Sequence, residues 1–138
     1  MTITVADALA RLGAAQESGA LAEMCRRFGV EILVLFGSAA QEEATHPPGD
    51  IDIAVGFDHG APRDVLGVID ALSALVPGDH VDIMDLDRAG PVAQKAAMFG
   101  SRVLYAVNAS VVTEREIKAF MMYEDTRWLR ALQTEALQ

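Results

Sequence analysis

The feature that most constrains the fold is a short apolar run, Val30 to Phe36, with a glycine at each end. Its length, its branched side chains and the flanking Gly29 and Gly37 predict a strand that is buried on both faces. Three later segments are also predicted to be strands, the last of them at a sheet edge: 50–57, 80–86 and 102–107. The chain is therefore expected to form a small sheet.

Helical patterns occupy most of the remaining sequence. Thr4 is a candidate N-cap for a first helix that Gly13 and Glu17-Ser18-Gly19 interrupt, and Ser18 is a candidate cap for the second. After the first helix, four more are predicted at about 20–28, 62–75, 87–99 and 110 to the end. The last of these is predicted as one long C-terminal helix. This order predicts an α+β fold, a small mixed sheet flanked by helices, in a single domain over residues 1–138.

Composition narrows the functional classes. The 138-residue chain has a net charge of −9 and a sequence pI of about 4.6, and an acidic surface repels nucleic-acid phosphates. No apolar stretch reaches the roughly 20 residues that span a bilayer, and the first residues lack signal-peptide features. The single cysteine, Cys25, cannot form an internal disulfide and lies in an apolar-rich segment. We therefore expect a buried thiol and a cytoplasmic protein that binds neither nucleic acid nor membrane.

Two aspartates at the start of the second predicted strand are the main candidates for chemistry. Side chains alternate along a strand, so Asp50 and Asp52 point to one face while Ile51 and Ile53 point into the core. Neighbouring carboxylates repel each other unless a cation intervenes, and Mg²⁺ takes oxygen ligands from carboxylates and phosphates. The alternative interpretation is the polar edge of a half-solvated strand.

A candidate phosphate-binding turn precedes these aspartates. Gly37-Ser38 lies where the buried strand ends and where residues 39–43 are predicted to form a helical turn. A glycine lets the backbone approach a phosphate closely, and a serine hydroxyl adds a hydrogen-bond donor. An ordinary turn is the alternative interpretation of this pair.

A third aspartate is predicted on a neighbouring strand. Val81 and Ile83 are expected to face the core, so Asp82 faces the other side, as Asp50 and Asp52 do on their own strand. Adjacent strands can bring the three carboxylates into one cleft. The two acidic residues that follow receive structural interpretations: Asp85 as a turn residue and Asp87 as a helix cap.

The last predicted helix carries an apolar stripe made of Ile117, Phe120, Met121, Trp128 and Leu132. Such a stripe is first of all core packing. Because methionines and aromatic residues are dense here, with Met122 and Tyr123 beside Met121, an interface with a partner helix is the second interpretation.

These motifs together resemble a known superfamily. Over roughly residues 20–130 the chain resembles the DNA polymerase beta-like nucleotidyltransferases. The resemblance lies in Gly37-Ser38, followed after about eleven residues by Asp50-Ile51-Asp52 and later by Val81-Asp82-Ile83. Within this superfamily the chain is most similar to the minimal nucleotidyltransferases, the MNT antitoxins that accompany HEPN-domain toxins. This similarity rests on the small size and on the segment Gly100-Ser101-Arg102-Val103-Leu104-Tyr105, which precedes a helix with Tyr123-Glu124-Asp125.

This resemblance implies an enzyme that transfers AMP from ATP to a hydroxyl acceptor in a Mg²⁺-dependent reaction. It assigns the triphosphate to Gly37 and Ser38, and Mg²⁺ to Asp50, Asp52 and Asp82, with Asp82 also helping to deprotonate the attacking hydroxyl. It further implies that the acceptor is a tyrosine of a partner HEPN toxin, which the transfer silences. Homo- or hetero-oligomer contacts are expected through the C-terminal helix.

The sequence departs from the family pattern just after Gly-Ser. The family usually has a basic residue there, whereas this chain has Ala39-Ala40-Gln41-Glu42-Glu43, and Gly49 replaces the serine common before the first aspartate. Arg63 and Arg88 are candidate replacements for the missing positive charge. Two alternatives therefore stay open: an antitoxin of the same fold that occludes its toxin without catalysis, and transfer to a small molecule such as an aminoglycoside.

Overall fold

The computed structural model describes residues 2–40 and 50–137. Its helices and strands are, in chain order, α1 (Val5–Ser18), α2 (Ala20–Phe28), β1 (Val30–Phe36), β2 (Ile51–Phe57), α3 (Val65–Leu75), β3 (Val81–Asp85), α4 (Pro91–Met98), β4 (Arg102–Ala106), α5 (Ala109–Asp125) and α6 (Arg127–Ala136). A short 3-10 turn, Gly37–Ala40, follows β1. None of these helices combines the length and apolarity needed to cross a bilayer.

The strands form one mixed sheet in the order β3-β2-β1-β4. β1 is antiparallel to both β2 and β4, whereas β2 and β3 are parallel. This arrangement confirms the predicted α+β fold with a mixed sheet, and it places β4 at an edge as predicted. The parallel β2–β3 pair follows from the crossover helix α3, which returns the chain to the end of the sheet where β2 began.

Each face of the sheet is covered by helices. α1, α2 and α3 cover the first face, where Leu35, Ile53 and Leu72 are fully or almost fully buried. α4 and α5 cover the second face, where Val34 and Ala54 are buried. Alternation along the strands separates the two cores, as the period of two predicts.

The lone cysteine lies in the first core. Cys25 is fully buried, which confirms the prediction, and burial raises the pKa of its thiol to about 12. A thiol with so high a pKa is protonated at neutral pH, so it acts as a small apolar side chain.

The N-terminal helices differ from the prediction in detail. Thr4 caps α1 through a capping box with Asp7, as its position predicts. The helix continues through Gly13, because the burial of Leu12 and Ala15 outweighs the cost of about 1 kcal/mol for a helical glycine. Gly19, not Ser18, lies at the junction, where its left-handed backbone (φ 86°) ends α1 and begins α2.

The C-terminal segment is two helices rather than one, which corrects the prediction. The break falls at Thr126, whose Oγ1 donates to the carbonyl oxygens of Met122 (2.9 Å) and Tyr123 (3.2 Å). Arg130 also donates to the Tyr123 carbonyl, at 2.7 Å. These side chains satisfy carbonyls that a continuous helix would bond through its backbone, so α5 ends and α6 begins there.

Candidate functional site

The parallel strands β2 and β3 bring two of the predicted aspartates side by side. Asp52 is paired with Asp82 across the two strands, and Asp50 immediately precedes β2. Asp52 is half-buried, whereas Asp50 and Asp82 are exposed. The isoleucines flanking Asp52 are buried in the core of the opposite face, as predicted, so the carboxylates belong to the α4–α5 face.

The ionisation of Asp52 is perturbed by its surroundings. Burial raises the pKa of Asp52, and the negative charges of Asp82 and Asp50 raise it further. The three carboxylates therefore share one electrostatic environment, in which the ionised form of Asp52 is disfavoured. A bound cation would reverse that preference.

The turn after β1 lies directly against this carboxylate. Phe36, the last residue of β1, is paired with Asp52, so Gly37 follows at the edge of the site. Gly37 has a left-handed backbone (φ 73°), and a Cβ placed on it would lie 2.6 Å from Asp52 Oδ2. Only glycine leaves room for the carboxylate in this conformation.

The start of the 3-10 turn is accessible to a ligand. Gly37 and Ser38 are both exposed, and the predicted helical turn is present as a 3-10 turn over 37–40. The rest of that predicted turn, 41–43, and Gly49 lie outside the described residues. The Gly-Ser pair and Asp52 therefore share one end of the sheet, where a phosphate could contact both.

The donor chemistry fits a magnesium ion, although no ready-made cage is formed. Within residues 2–40 and 50–137, no group of three or more His, Cys, Asp or Glu side chains is arranged to hold a metal ion. Mg²⁺, however, is commonly bound by one or two carboxylates with substrate phosphates and water completing its shell. Asp50, Asp52 and Asp82 offer oxygen ligands of that kind beside the Gly37 turn.

The two arginines predicted as replacement cations lie elsewhere. Arg63 donates to Asp85 at 3.1 Å, and Arg88 Nε lies 3.8 Å from the same carboxylate. Asp85 is paired with Val55, three residues along β2 from Asp52, near the opposite end of the strands. Neither arginine is therefore placed beside the Gly37 turn, and that prediction is wrong.

A buried ion network at this opposite end was missed from the sequence. Arg115 of α5 donates to Glu31 Oε2 (3.0 Å), Asp87 Oδ1 (2.7 Å) and the Phe57 carbonyl (3.1 Å). Asp87 also accepts from the Phe57 amide, so it is a partner of Arg115 and not the predicted helix cap. Gly90 is the N-cap of α4 instead.

The ionisation of Asp87 reflects these partners. Burial acts to raise the pKa of its carboxyl, but hydrogen bonds from the Phe57 amide and Arg115 outweigh burial and lower it. Asp85 accepts from the amide of Asp87 at 3.1 Å, which agrees with its predicted place in a turn. This network joins α5 to β1, to β2 and to the segment after β3.

The C-terminal apolar stripe is exposed, so its interpretation as core packing is wrong. The buried positions of α5 are Val111, Arg115 and Ala119, four residues apart, and the stripe lies on another face. Its five members are at least 51% exposed, and Leu129 is 44% exposed. We call these six residues the α5–α6 apolar face: Ile117, Phe120, Met121, Trp128, Leu129 and Leu132. Exposed apolar patches commonly coincide with interaction surfaces, so this face is a candidate for one.

A known protein family matches this chain over most of its length. Residues 20–110 match the family described as "Polymerase beta, Nucleotidyltransferase". No curated protein is significantly similar to the chain in sequence.

Several solved structures share the fold, and they come from toxin-antitoxin complexes. A chain of the MntA-HepT toxin-antitoxin structure has a TM-score of 0.65 at 19% identity, covering 91% of this chain and 99% of that one. A toxin-antitoxin structure with AMP-PNP gives 0.67 at 21%, covering 86% and 96%. A complex of tri-AMPylated Shewanella oneidensis HEPN toxin with MNT antitoxin gives 0.67 at 18%, covering 92% and 99%.

Proposed function

The chain belongs to the polymerase beta nucleotidyltransferase family, and we propose that it transfers AMP from ATP to a tyrosine hydroxyl of a HEPN-type toxin. The observation that carries this proposal is the pairing of Asp52 with Asp82 across β2 and β3, with the Gly37 turn against Asp52. Carboxylates beside a glycine turn are the parts that metal-assisted phosphoryl transfer requires.

Each residue of the site has a distinct role in this proposal. The Gly37 backbone and the Ser38 hydroxyl hold phosphate oxygens of ATP, because both are exposed at the end of β1. Asp50 and Asp52 hold Mg²⁺, which when bound neutralises phosphate charge and offsets the repulsion that raises the pKa of Asp52. Asp82 is exposed beside them and accepts the proton of the attacking hydroxyl.

The transfer is a single in-line displacement. The tyrosine oxygen forms a bond to the α-phosphorus of ATP while the bond from that phosphorus to the oxygen bridging to the β-phosphate breaks. Pyrophosphate leaves with that bonding pair, and the tyrosine proton passes to a carboxylate oxygen of Asp82. The products are an AMP-tyrosine ester and pyrophosphate.

The α5–α6 apolar face is the proposed docking surface for the toxin. The α5 part of this face carries a groove of about 590 Å³. Its lining is apolar at Ile117, Met121 and Met122, and it has two carboxylates, Glu114 and Asp125, against one cation, Lys118. A partner with apolar side chains and a basic border would complement this groove and the net charge of −9. MNT antitoxins of the same fold are solved in complexes with HEPN toxins, which supports a partner of that class.

A second candidate function is neutralisation by occlusion alone. Two observations favour it: Ala39 and Ala40 follow Ser38 where the family has a basic residue, and the described carboxylates form no ready-made metal cage. In this case the α5–α6 apolar face binds the toxin, and the aspartates are not needed.

Calorimetric titration of the protein with ATP, with and without Mg²⁺, tests the nucleotide site. We expect Mg²⁺-dependent binding that Asp50→Asn/Asp52→Asn abolishes. Asp70→Asn, which removes one exposed carboxylate on the opposite helical layer, is the matched control and should bind as the wild type does. No binding by the wild type at millimolar ATP would contradict the proposal and favour occlusion.

A further inference from the structure

The described elements that form the proposed site, β1, β2, β3 and the Gly37–Ala40 turn, contain no lysine or arginine to balance the charge of a triphosphate. Ala39 and Ala40 supply none after Ser38, and Arg63, Arg88 and Arg115 form ion pairs near the other end of β2. A bound nucleotide still carries several negative charges on its β- and γ-phosphates. Cations from another element should therefore approach that end of the sheet.

Two cations from different helices contact one aromatic ring. Lys95 Nζ of α4 lies 3.8 Å from the centre of the Tyr123 ring, and the guanidinium carbon of Arg130 lies 3.5 Å from it. All three side chains are half-buried. Neither cation has a carboxylate within 4.0 Å among the residues that the structure describes, so two positive charges are held together without neutralisation.

Arg130 is also held in place by hydrogen bonds. It donates through Nη2 to the Tyr123 carbonyl (2.7 Å) and through Nη1 to Thr126 Oγ1 (2.9 Å). A guanidinium has five N–H groups, so donors remain for a ligand. Arg130 belongs to α6 and Tyr123 to α5, so this contact joins the two helices across the break at Thr126.

α4 runs toward the end of the sheet that carries Asp52. Shortly before α4 begins, the Leu86 amide donates to the Val55 carbonyl at 2.9 Å. Val55 is three residues along β2 from Asp52, toward the other end of the strand. Shortly after α4 ends, Arg102 is paired with Leu35, one residue from the β1 partner of Asp52. Lys95, in the last turn of α4, is therefore on the Asp52 side of the helix.

α5 runs in the same direction. Shortly before it begins, the Val107 amide donates to the Glu31 carbonyl at 2.9 Å, at the start of β1. Further along the helix, Ala119 is buried in the same cluster as Val34. Tyr123 lies one turn beyond Ala119, so it continues toward the end of β1, where Gly37 follows.

We propose that Lys95 and Arg130, held by the Tyr123 ring, bind the β- and γ-phosphates of the nucleotide triphosphate. This inference rests on the proposed nucleotidyltransferase function. The pair supplies the charge that the segment after Ser38 lacks, and it comes from the second helical layer instead of the glycine turn. A polyphosphate placed between this pair and the Gly37 turn would neutralise two like charges that repel each other without it.

The test compares nucleotides that differ only in their phosphates. Lys95→Met and Arg130→Met keep the apolar stems and remove the charges, and Arg127→Met removes an exposed arginine of the same helix, paired with Glu124, as the matched control. We expect each of the first two variants to bind ATP with Mg²⁺ at least about tenfold more weakly, because each loses a charged contact. AMP binding should be unchanged, and Arg127→Met should bind both nucleotides as the wild type does.

Two further measurements separate a phosphate contact from a structural role. Lys95→Arg keeps the charge and should restore ATP binding, whereas a purely structural lysine would not show this selectivity for ATP over AMP. Thermal stabilisation of the wild type by inorganic tripolyphosphate should be lost in Lys95→Met. Equal loss of AMP and ATP binding, or ATP binding at the wild-type level in both Met variants, overturns the inference.

The outcomes also separate this inference from the function on which it rests. If the wild type binds ATP through Asp50 and Asp52 while Lys95→Met and Arg130→Met bind equally well, the proposed function stands and the inference fails. If the wild type binds no ATP, both fail together.

Discussion

Replacing Gly37 by alanine tests the geometry of the site most sharply. The φ of 73° is left-handed, and an L-residue there costs about 1–2 kcal/mol of folding free energy. The new Cβ would lie 2.6 Å from Asp52 Oδ2, whereas ordinary contact begins at 3.4 Å. The carboxylate must therefore retreat by most of an ångström. Because it ends a flexible side chain, its movement adds little to the loss of stability but displaces a proposed Mg²⁺ ligand.

Gly100 provides a matched control for this substitution. Its φ is 79°, similar to that of Gly37, but a Cβ on it would meet no atom within 4 Å. Urea unfolding should show that Gly37→Ala and Gly100→Ala each lose about 1–2 kcal/mol. Calorimetry should show that only Gly37→Ala weakens ATP binding with Mg²⁺, by about tenfold or more. Wild-type ATP affinity in Gly37→Ala, or an equal loss in Gly100→Ala, would refute the placement of Asp52 against the turn.

Four further predictions concern stability and binding. The pKa of Asp52 is raised in the folded state, so the free energy of unfolding falls as pH rises from the ordinary carboxyl pKa through the raised one. Asp52→Asn removes this titration, so the variant should show a smaller fall. In urea unfolding at pH 7, the metal-free variant should be more stable than the wild type. Arg115→Met should lower the free energy of unfolding by about 3 kcal/mol, since it leaves the half-buried carboxylates of Glu31 and Asp87 without their cation. The pKa of Asp87 is lowered in the folded state, so its carboxylate stabilises the fold above the pKa that it has in the unfolded chain. This stabilisation is lost as pH falls through the pKa of the folded state. Asp87→Asn should remove this loss of stability in acid. Met121→Glu and Trp128→Glu should weaken binding to a HEPN toxin in calorimetry while leaving thermal unfolding within about 0.5 kcal/mol of the wild type, because both side chains are exposed.

Much of the strand framework could be predicted because its signals are local. Gly29 and Gly37 bound β1 in the sequence and in the structure. The alternation of side chains around Asp52 and Asp82 correctly predicted that both residues lie on the face of the sheet opposite the apolar core under α1–α3. The parallel pairing that places these two carboxylates side by side then follows from the crossover through α3.

The errors arose where long-range contacts override local patterns. In α5 the pattern of apolar residues predicts that the stripe containing Phe120 is buried, but Phe120 is 51% exposed. The buried face carries Arg115 instead, because Glu31 and Asp87 from distant segments neutralise it. The spacing of Val111, Arg115 and Ala119 is the signal that could have revealed this face.

The cations that we propose to bind the triphosphate could not be identified from the sequence for a similar reason. Arg63 was a candidate, yet it pairs with Asp85, and no local pattern distinguishes it from Lys95. The contact of Lys95 with Tyr123 depends on the packing of α4 against α5, and that of Arg130 depends on the break at Thr126. Neither arrangement has a periodicity that a sequence could display.

The measurement that tests the central claim most directly is the mass of a HEPN toxin purified from cells that also produce this protein. We predict AMP on a toxin tyrosine when the wild type is present, and unmodified, active toxin when Asp50→Asn/Asp52→Asn replaces it. Asp70→Asn should modify the toxin as the wild type does. A toxin that is neutralised by the wild type without carrying AMP, and equally by the double variant, would contradict the claim and establish occlusion through the α5–α6 apolar face.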